Sequence, residues 1–532
     1  MARDALLNPS LPLLERNPFR RLPNLLQRLQ PWWVPLLLAT LWWLASRNQW
    51  MSEQILPAPA QVLSSAVELA HGELWAHLAI SLQRLLLGLL AGVGLGALLG
   101  ALLGSSRRAE RLILPTFSAL AQIPTLAWVP LFMVLFGIGE LLKLVVLVKA
   151  IVVPITLHTL VGVRDAQPKL REAGAVLQLP TALLLRKLIV PATLPAFMAG
   201  LRLALATGWS SLLAVELLAS SEGIGYLMVW ARQLFMLDIV FVCIAVIGVL
   251  GVLMDRSIGW ADRRLLHWPH PATAEFRRRA PAQGWQRLHA WYLPLGLLGL
   301  WQISSQLNWV DSGILAAPQH VLTTAYSGLL DGSLLGALGT SVGRALGGLV
   351  LGGSLGFGLG LLLGLSPIAE RLLGPSLTGL RQIAIFAWVP LLTAWFGLGE
   401  LAKWVFVALA AFFPLFIATQ RSVASLSPQL AEAAHVLRLN LWQRLRRLVL
   451  PGAAPGIFAG LRLSLIYAWL GTIGAEYFMP SGGGIGSLMI GAQQLLRMDL
   501  IMSSMLLIGL TGALLNHIGQ YLEQRAMQWR HA

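Results

Sequence analysis

The chain has 532 residues, a formal net charge of +16, and 56% hydrophobic against 12% charged residues. With a mean hydropathy of +0.70, this excludes a water-soluble core of ordinary make-up. The positive charge does not mark a nucleic-acid binder either. Lys and Arg fall in short loops on alternate sides of apolar runs, as the positive-inside rule gives a membrane protein.

Residues 1–30 are polar and broken by Pro, with no small-residue cleavage site, and read as a cytoplasmic tail and not a signal peptide. Runs approaching or exceeding the roughly 20 residues that cross a bilayer as helix follow near 32–46, 78–104, 112–136, 141–163, 197–219 and 238–258. A Pro-, Ala- and Arg-rich stretch at 259–289 is too polar to insert and reads as a cytoplasmic tether. Six more runs follow near 291–305, 336–364, 372–396, 401–420, 457–479 and 499–519. None shows strand alternation, so the expected fold is an all-α integral membrane protein with about twelve transmembrane helices. The basic loops, which include Arg107 and Arg108, Arg186 and Lys187, and Arg444 to Arg447, put both termini in the cytoplasm.

The two sets of runs are one unit written twice. Residues 122–140 read QIPTLAWVPLFMVLFGIGE, and 382–400 read QIAIFAWVPLLTAWFGLGE. At the same offset Ser81 and Arg84 match Ser341 and Arg344, Glu172 matches Glu432, and Gly200-Leu201-Arg202 matches Gly460-Leu461-Arg462. A repeat this long is a domain, so the chain is a fused pseudo-dimer of 31–258 and 290–532. An even number of spans per half makes the repeats parallel, unlike the inverted repeats of many secondary transporters.

No GxxxxGK[ST], HExxH or CxxC string occurs. Cys243 is the only cysteine, so one chain can form neither a disulfide nor a thiolate cluster. The ten histidines show no ligand spacing, and no metal site is expected.

Between spans four and five each half carries an amphipathic stretch longer than a connector needs. The first begins LREAGAVLQLP at 170 and the second LAEAAHVLRLN at 430. Leu441, Leu445 and Leu448 repeat at helical spacing, and Pro191, Pro195, Pro451 and Pro455 are expected to break the helix before the next span. Such a helix suits either a docking peg for a soluble partner or an interfacial helix on lipid headgroups. Glu172 and Glu432 near its start would also suit a helix N-terminus electrostatically.

The EAA pattern, its apolar-LP continuation and the later GLR resemble the coupling segment of permease subunits of ATP-binding-cassette importers. Leu56-Pro57-Ala58-Pro59 with Val62, the AWVPL and FGxGE strings and Ser-x-x-Arg resemble the nitrate, sulfonate, taurine and bicarbonate branch. The resemblance covers nearly the whole chain, twice. It implies a bacterial inner-membrane permease with membrane lipids around it and no nucleic acid. It implies further that two copies of a cytoplasmic ATPase bind ATP and Mg while this chain binds no cofactor, that a periplasmic or lipid-anchored solute-binding protein delivers the cargo, and that transport follows alternating access. Glu172, Ala173 and Gly174, with Glu432, Ala433 and Ala434, would couple to the ATPases. The chain departs from the family in having Gln178 and Arg438 where members usually carry glycine. Loss of that access to positive φ implies another route for the turn, with Pro180 supplying the break in the first half.

The implied cargo is an organic sulfonate, taurine or sulfate ester, then nitrate, cyanate or bicarbonate, or a vitamin precursor. An ion-coupled secondary transporter is the rival, and would call for ionisable groups near mid-membrane and helices interrupted at corresponding places.

Spans three and five are expected to line the path. Its candidates are Gln122, Trp128, Gln382 and Trp388, with Trp209, Ser210, Ser211, Trp469 and Thr472; core packing is the competing role for the tryptophans. Arg84 and Glu216 reach equal depth, as do Arg344 and Glu476, so one ion pair per half is expected to brace span two against span five. A ring of arginines attracting an anionic solute is the other reading of those charges.

Overall fold

A computed structural model describes residues 30–266, 289–309, 311, 313–427, 429, 432 and 436–527. The expected tail at 1–30 (except Gln30), most of the expected tether at 259–289, and Ala433 and Ala434 lie outside the described residues. The regular structure described is helical throughout. Eight helices are each long and apolar enough to cross a bilayer, and two bent pairs counted as one span each bring the number to ten. The two leading helices, Trp33–Arg47 and His289–Gln306, have 15 and 18 residues. At about 1.5 Å per residue neither reaches the full hydrocarbon thickness of roughly 30 Å without flanking residues. Each half therefore holds five long spans behind a shorter first helix.

The long spans pack through glycine. In span two, Leu74–Ser105, Gly88, Gly92, Gly96, Gly100 and Gly104 recur every fourth residue and lie on span four, Glu140–Val176. A Cβ on Gly92 would lie 2.6 Å from Ile151, and one on Gly100 2.7 Å from the Thr156 carbonyl oxygen. Four-residue spacing puts these positions on one helix face. Small residues there let two backbones approach where lipid supplies no hydrophobic drive. The second half repeats the seam between Ser333–Leu365 and Glu400–Ala424, where a Cβ on Gly352 would meet the Ala408 carbonyl at 1.9 Å.

Span three is not the continuous helix expected at 112–136. Arg107–Gln122 and Thr125–Phe136 meet at 93°, and Pro367–Gln382 and Ile385–Phe396 repeat the same angle. Ile123 and Ile383 are extended, with ψ of 118° and 121°. Pro124 explains the extended residue before it in the first half, but Ala384 occupies that place in the second. Common to both copies are Pro130 and Pro390, each in the first turn of the α-helix that follows a 3-10 turn in the second piece, Val129–Phe136 and Val389–Phe396, a position where proline is tolerated.

The segments beyond the breaks are exchanged between halves. Ala387 and Leu391 belong to the core of the first half, with Leu212, Met228 and Ile247. Ala127 and Leu131 belong to that of the second, with Trp469, Met489 and Ile508. Span six of each half crosses the other's break: a Cβ on Gly251 would lie 2.3 Å from the Gln382 carbonyl oxygen, and one on Gly509 2.7 Å from Ile123. These reciprocal contacts are what a twofold interface requires. The helix of span six also runs on to Leu265, past the expected end at 258.

The prolines after the amphipathic stretch do not break the chain as expected. A π-helical turn at Leu185–Ile189 leads without interruption into Val190–Ala219, and Leu445–Val449 leads likewise into Leu450–Phe478. Pro191 and Pro451 follow immediately. The wider π turn accommodates a residue that lacks an N–H and crowds the preceding turn.

Candidate functional site

The FGxGE string folds into a device for placing one carboxylate. Gly137 and Gly397 take φ of 70° and 71°, and Glu140 and Glu400 become the first residues of span four. Negative charge is favoured at a helix N-terminus. Each of these carboxylates also receives the guanidinium of span two. Arg84 Nε donates to Glu140 Oε2 at 2.8 Å and Nη2 to Oε1 at 2.6 Å. Arg344 donates to Glu400 at 2.7 and 2.6 Å.

The expected partners are also in reach. Arg84 Nη1 lies 2.9 Å from Glu216 Oε1, and Arg344 Nη1 2.6 Å from Glu476 Oε1. Span four was missing from the expectation of a simple pair. A guanidinium carries five N–H donors, so one buried carboxylate could not have satisfied it. Lys143 bonds Glu140 at 2.7 Å, and Lys403 bonds Glu400 at 3.1 Å. The second half thus holds two cations against two anions at the start of span four, and the first adds a third anion, Glu222, 4.0 Å from Arg84 Nη2.

The loop after span five closes over the inner carboxylate. Ser81 Oγ donates to Glu216 at 2.9 Å, and the Gly225 N–H donates to Glu216 Oε2 at 3.0 Å. Ser341 and Gly486 serve Glu476 at 2.7 and 2.8 Å. Gly223 and Gly484 take φ of 102° and 120°, and a Cβ on either would lie within 2.4 Å of that carboxylate. Only glycine satisfies both the backbone and the space.

The expected path residues divide into two groups. Trp209 and Trp469 are buried in the cores, and Thr472 is fully buried with its hydroxyl turned back on the Ala468 carbonyl at 2.9 Å. Gln122, Trp128, Ser210, Ser211, Gln382 and Trp388 are half-buried. Gln122 and Gln382 end the first pieces of the broken spans. Lys149 lies in the middle of span four. It donates to the Ile123 carbonyl at 2.8 Å and approaches Thr125 Oγ1 at 3.3 Å, 5.5 Å from the centroid of Trp128. Sequence reasoning passed over it, although its mate Leu409 makes it one of the clearest departures from the repeat.

Glu172 lies four residues before the end of the span-four helix, Glu140–Val176, and is exposed. It is not at a helix N-terminus, so the electrostatic role open to it in the sequence falls away. Glu432 is exposed as well. Gly174 is buried, and a Cβ there would lie 2.6 Å from Leu184. Gln178 and Arg438 take φ of 48° and 49°. The turn therefore keeps its left-handed residue without glycine, and does not follow another route.

Helices interrupted at corresponding places are a mark of ion-coupled carriers, but parallel repeats and relatives decide the class. Residues 92–267 and 335–526 each match the binding-protein-dependent transport system inner membrane component family. The chain belongs to that family and carries two copies of its domain: it is a duplicated permease of the ATP-binding-cassette type and a multi-pass inner-membrane protein. A protein of Escherichia coli named as an aliphatic sulfonates transport permease, SsuC, is 40% identical over 244 residues, 46% of this chain and 93% of its own length. The taurine transport system permease TauC of Escherichia coli is 34% identical over 238 residues, 44% of this chain and 86% of its own. SsuC of Bacillus subtilis is 34% identical over 236 residues, 44% of this chain and 86% of its own.

Proposed function

We propose that this chain is both permease halves of one ATP-driven importer, carrying a small organic anion into the cytoplasm by alternating access. Residues 31–258 and 290–532 act as the two domains, the stretch at 259–289 tethers them on the cytoplasmic side, and both termini lie there. Two copies of a soluble ATPase bind ATP and Mg and dock on the loops around Glu172 and Glu432. A solute-binding protein delivers the cargo to the opposite face. An organic sulfonate is the first cargo and taurine the next, following the names of the relatives, with a sulfate ester after them.

The observation that carries this reading is the matched pair of loops. Each presents an exposed glutamate, a left-handed turn at Gln178 or Arg438, and a π turn feeding a span. Closure of two ATPases would thereby move span five in both halves together. The path would run between the broken third spans and the fifth spans, with Gln122, Gln382, Ser210 and Ser211 toward it.

The test uses vesicles holding the full chain, its ATPase and its binding protein, with labelled butanesulfonate and taurine. ATP-dependent uptake of at least one is expected. Glu172→Arg with Glu432→Arg should remove stimulated ATP hydrolysis or release the ATPase. Unchanged assembly and stimulation in that double variant would refute the docking role.

A further inference from the structure

Lys149 is a cation set deep in a span with no acid to neutralise it. Arg84, Lys143, Arg344 and Lys403 each hold a carboxylate within 3.1 Å. Among the described residues Lys149 has none within 4.0 Å. A charge at such depth is expensive, and where it occurs it faces a cavity or a functional partner.

One bland role is to cap the carbonyl that the break in span three sets free. The second half argues against it. Its break has the same 93° angle, yet Leu409 stands where Lys149 does, and Ile385 where Thr125 does. The bend forms without the lysine.

The donors are also incompletely used. An ammonium has three N–H bonds to give, and two point to Ile123 and Thr125. The indole N–H of Trp128, beside it, is buried and without an acceptor. On span five Thr207 bonds the Ala150 carbonyl at 3.4 Å, next to the lysine, while its mate is Tyr467. One half thus offers a charge and two aliphatic hydroxyls at this level, and the matched positions of the other offer Leu409, Ile385 and Tyr467, a ring with a single phenol hydroxyl.

We infer that Lys149, with Thr125 and Trp128, receives the oxyanion head of the solute in transit, and that the matched positions of the second half take its apolar tail. This rests on the proposed import of an organic anion and narrows it to an alkanesulfonate, a head with a tail and no second charge. A homodimer would present two such lysines. Fusion leaves one, which matches a monoanion entering in one orientation.

The test measures ATP-dependent uptake of labelled butanesulfonate by the full complex, with Lys149→Arg, Lys149→Gln and Lys149→Leu. Arginine keeps the charge and should retain uptake within about threefold. Glutamine can still bond the Ile123 carbonyl but is neutral; it should lower uptake by about tenfold or more, the scale of one charge-assisted hydrogen bond. Should the leucine variant fail to fold, the glutamine variant decides. Wild-type uptake in Lys149→Gln overturns the inference. A wild-type complex that delivers neither butanesulfonate nor taurine overturns the proposed function itself.

Discussion

At the scale of single residues, the charged network at the start of span four makes the sharpest demands. Glu216 is fully buried, whereas the side chain of Glu140 is 59% exposed. Removing the buried carboxylate leaves Arg84 only the exposed Glu140 and Glu222 and takes the acceptor from Ser81 and the Gly225 N–H, so Glu216→Ala should cost about 3–5 kcal/mol. Glu140→Ala should cost about 1 kcal/mol or less, since water screens it. Thermal melting of the purified chain gives the order, and equal losses would contradict it. Exchanging charges by Arg84→Glu with Glu216→Arg would restore a simple pair. Here it brings residue 84 against Glu140 as a like charge, so the exchange should fold worse than Glu216→Ala alone and recover in part when Glu140→Gln is added. Ala at Gly223 meets both positive φ and the Glu216 carboxylate, and should cost about 1–3 kcal/mol. The arginine and its inner glutamate were legible because opposite charges at equal depth in two spans need each other. Glu140 was not, because a residue at the end of an apolar run reads as a boundary. Lys149 was overlooked because it follows LLKLVVLV, where one lysine does not stop the run from reading as a span.

At the scale of elements, the apolar runs, their order and their parallel repetition were plain in hydropathy and in the loop arginines. The breaks in span three were not, because apolar residues on both sides hide a change of direction, and Ala384 removes the proline that might have announced it. The turns at Gln178 and Arg438 show the opposite limit: the absence of glycine suggested a different turn, and the surrounding helices impose the left-handed one. A non-glycine residue in that conformation costs about 1–2 kcal/mol, partly offset by the greater freedom glycine has when unfolded. Gln178→Gly should therefore leave melting unchanged or raise it slightly, with ATP stimulation intact. Gln178→Pro, whose φ is fixed near −65°, should lower stimulation sharply. A proline variant with full stimulation would show that the turn does not transmit movement.

At the scale of the whole molecule, the two halves share their cores through exchanged segments. Gly251 faces the Gln382 carbonyl at 2.3 Å from an added Cβ, and Gly512 faces that of Gln122 at 3.3 Å. A backbone carbonyl cannot turn aside as a side chain can. Gly251→Ala should therefore destabilise the chain by about 1–3 kcal/mol and Gly512→Ala by less, read again from melting. Identical effects would mean that the two crossings are equivalent. Fusion also fixes one-to-one pairing and lets matched positions diverge, as Lys149 and Leu409 have done. The central claim is that one chain supplies both halves. Native mass spectrometry of the complex purified with its ATPase tests it most directly. One 57.7 kDa chain with two ATPase copies is the predicted composition, and a complex holding two copies of this chain would contradict the account.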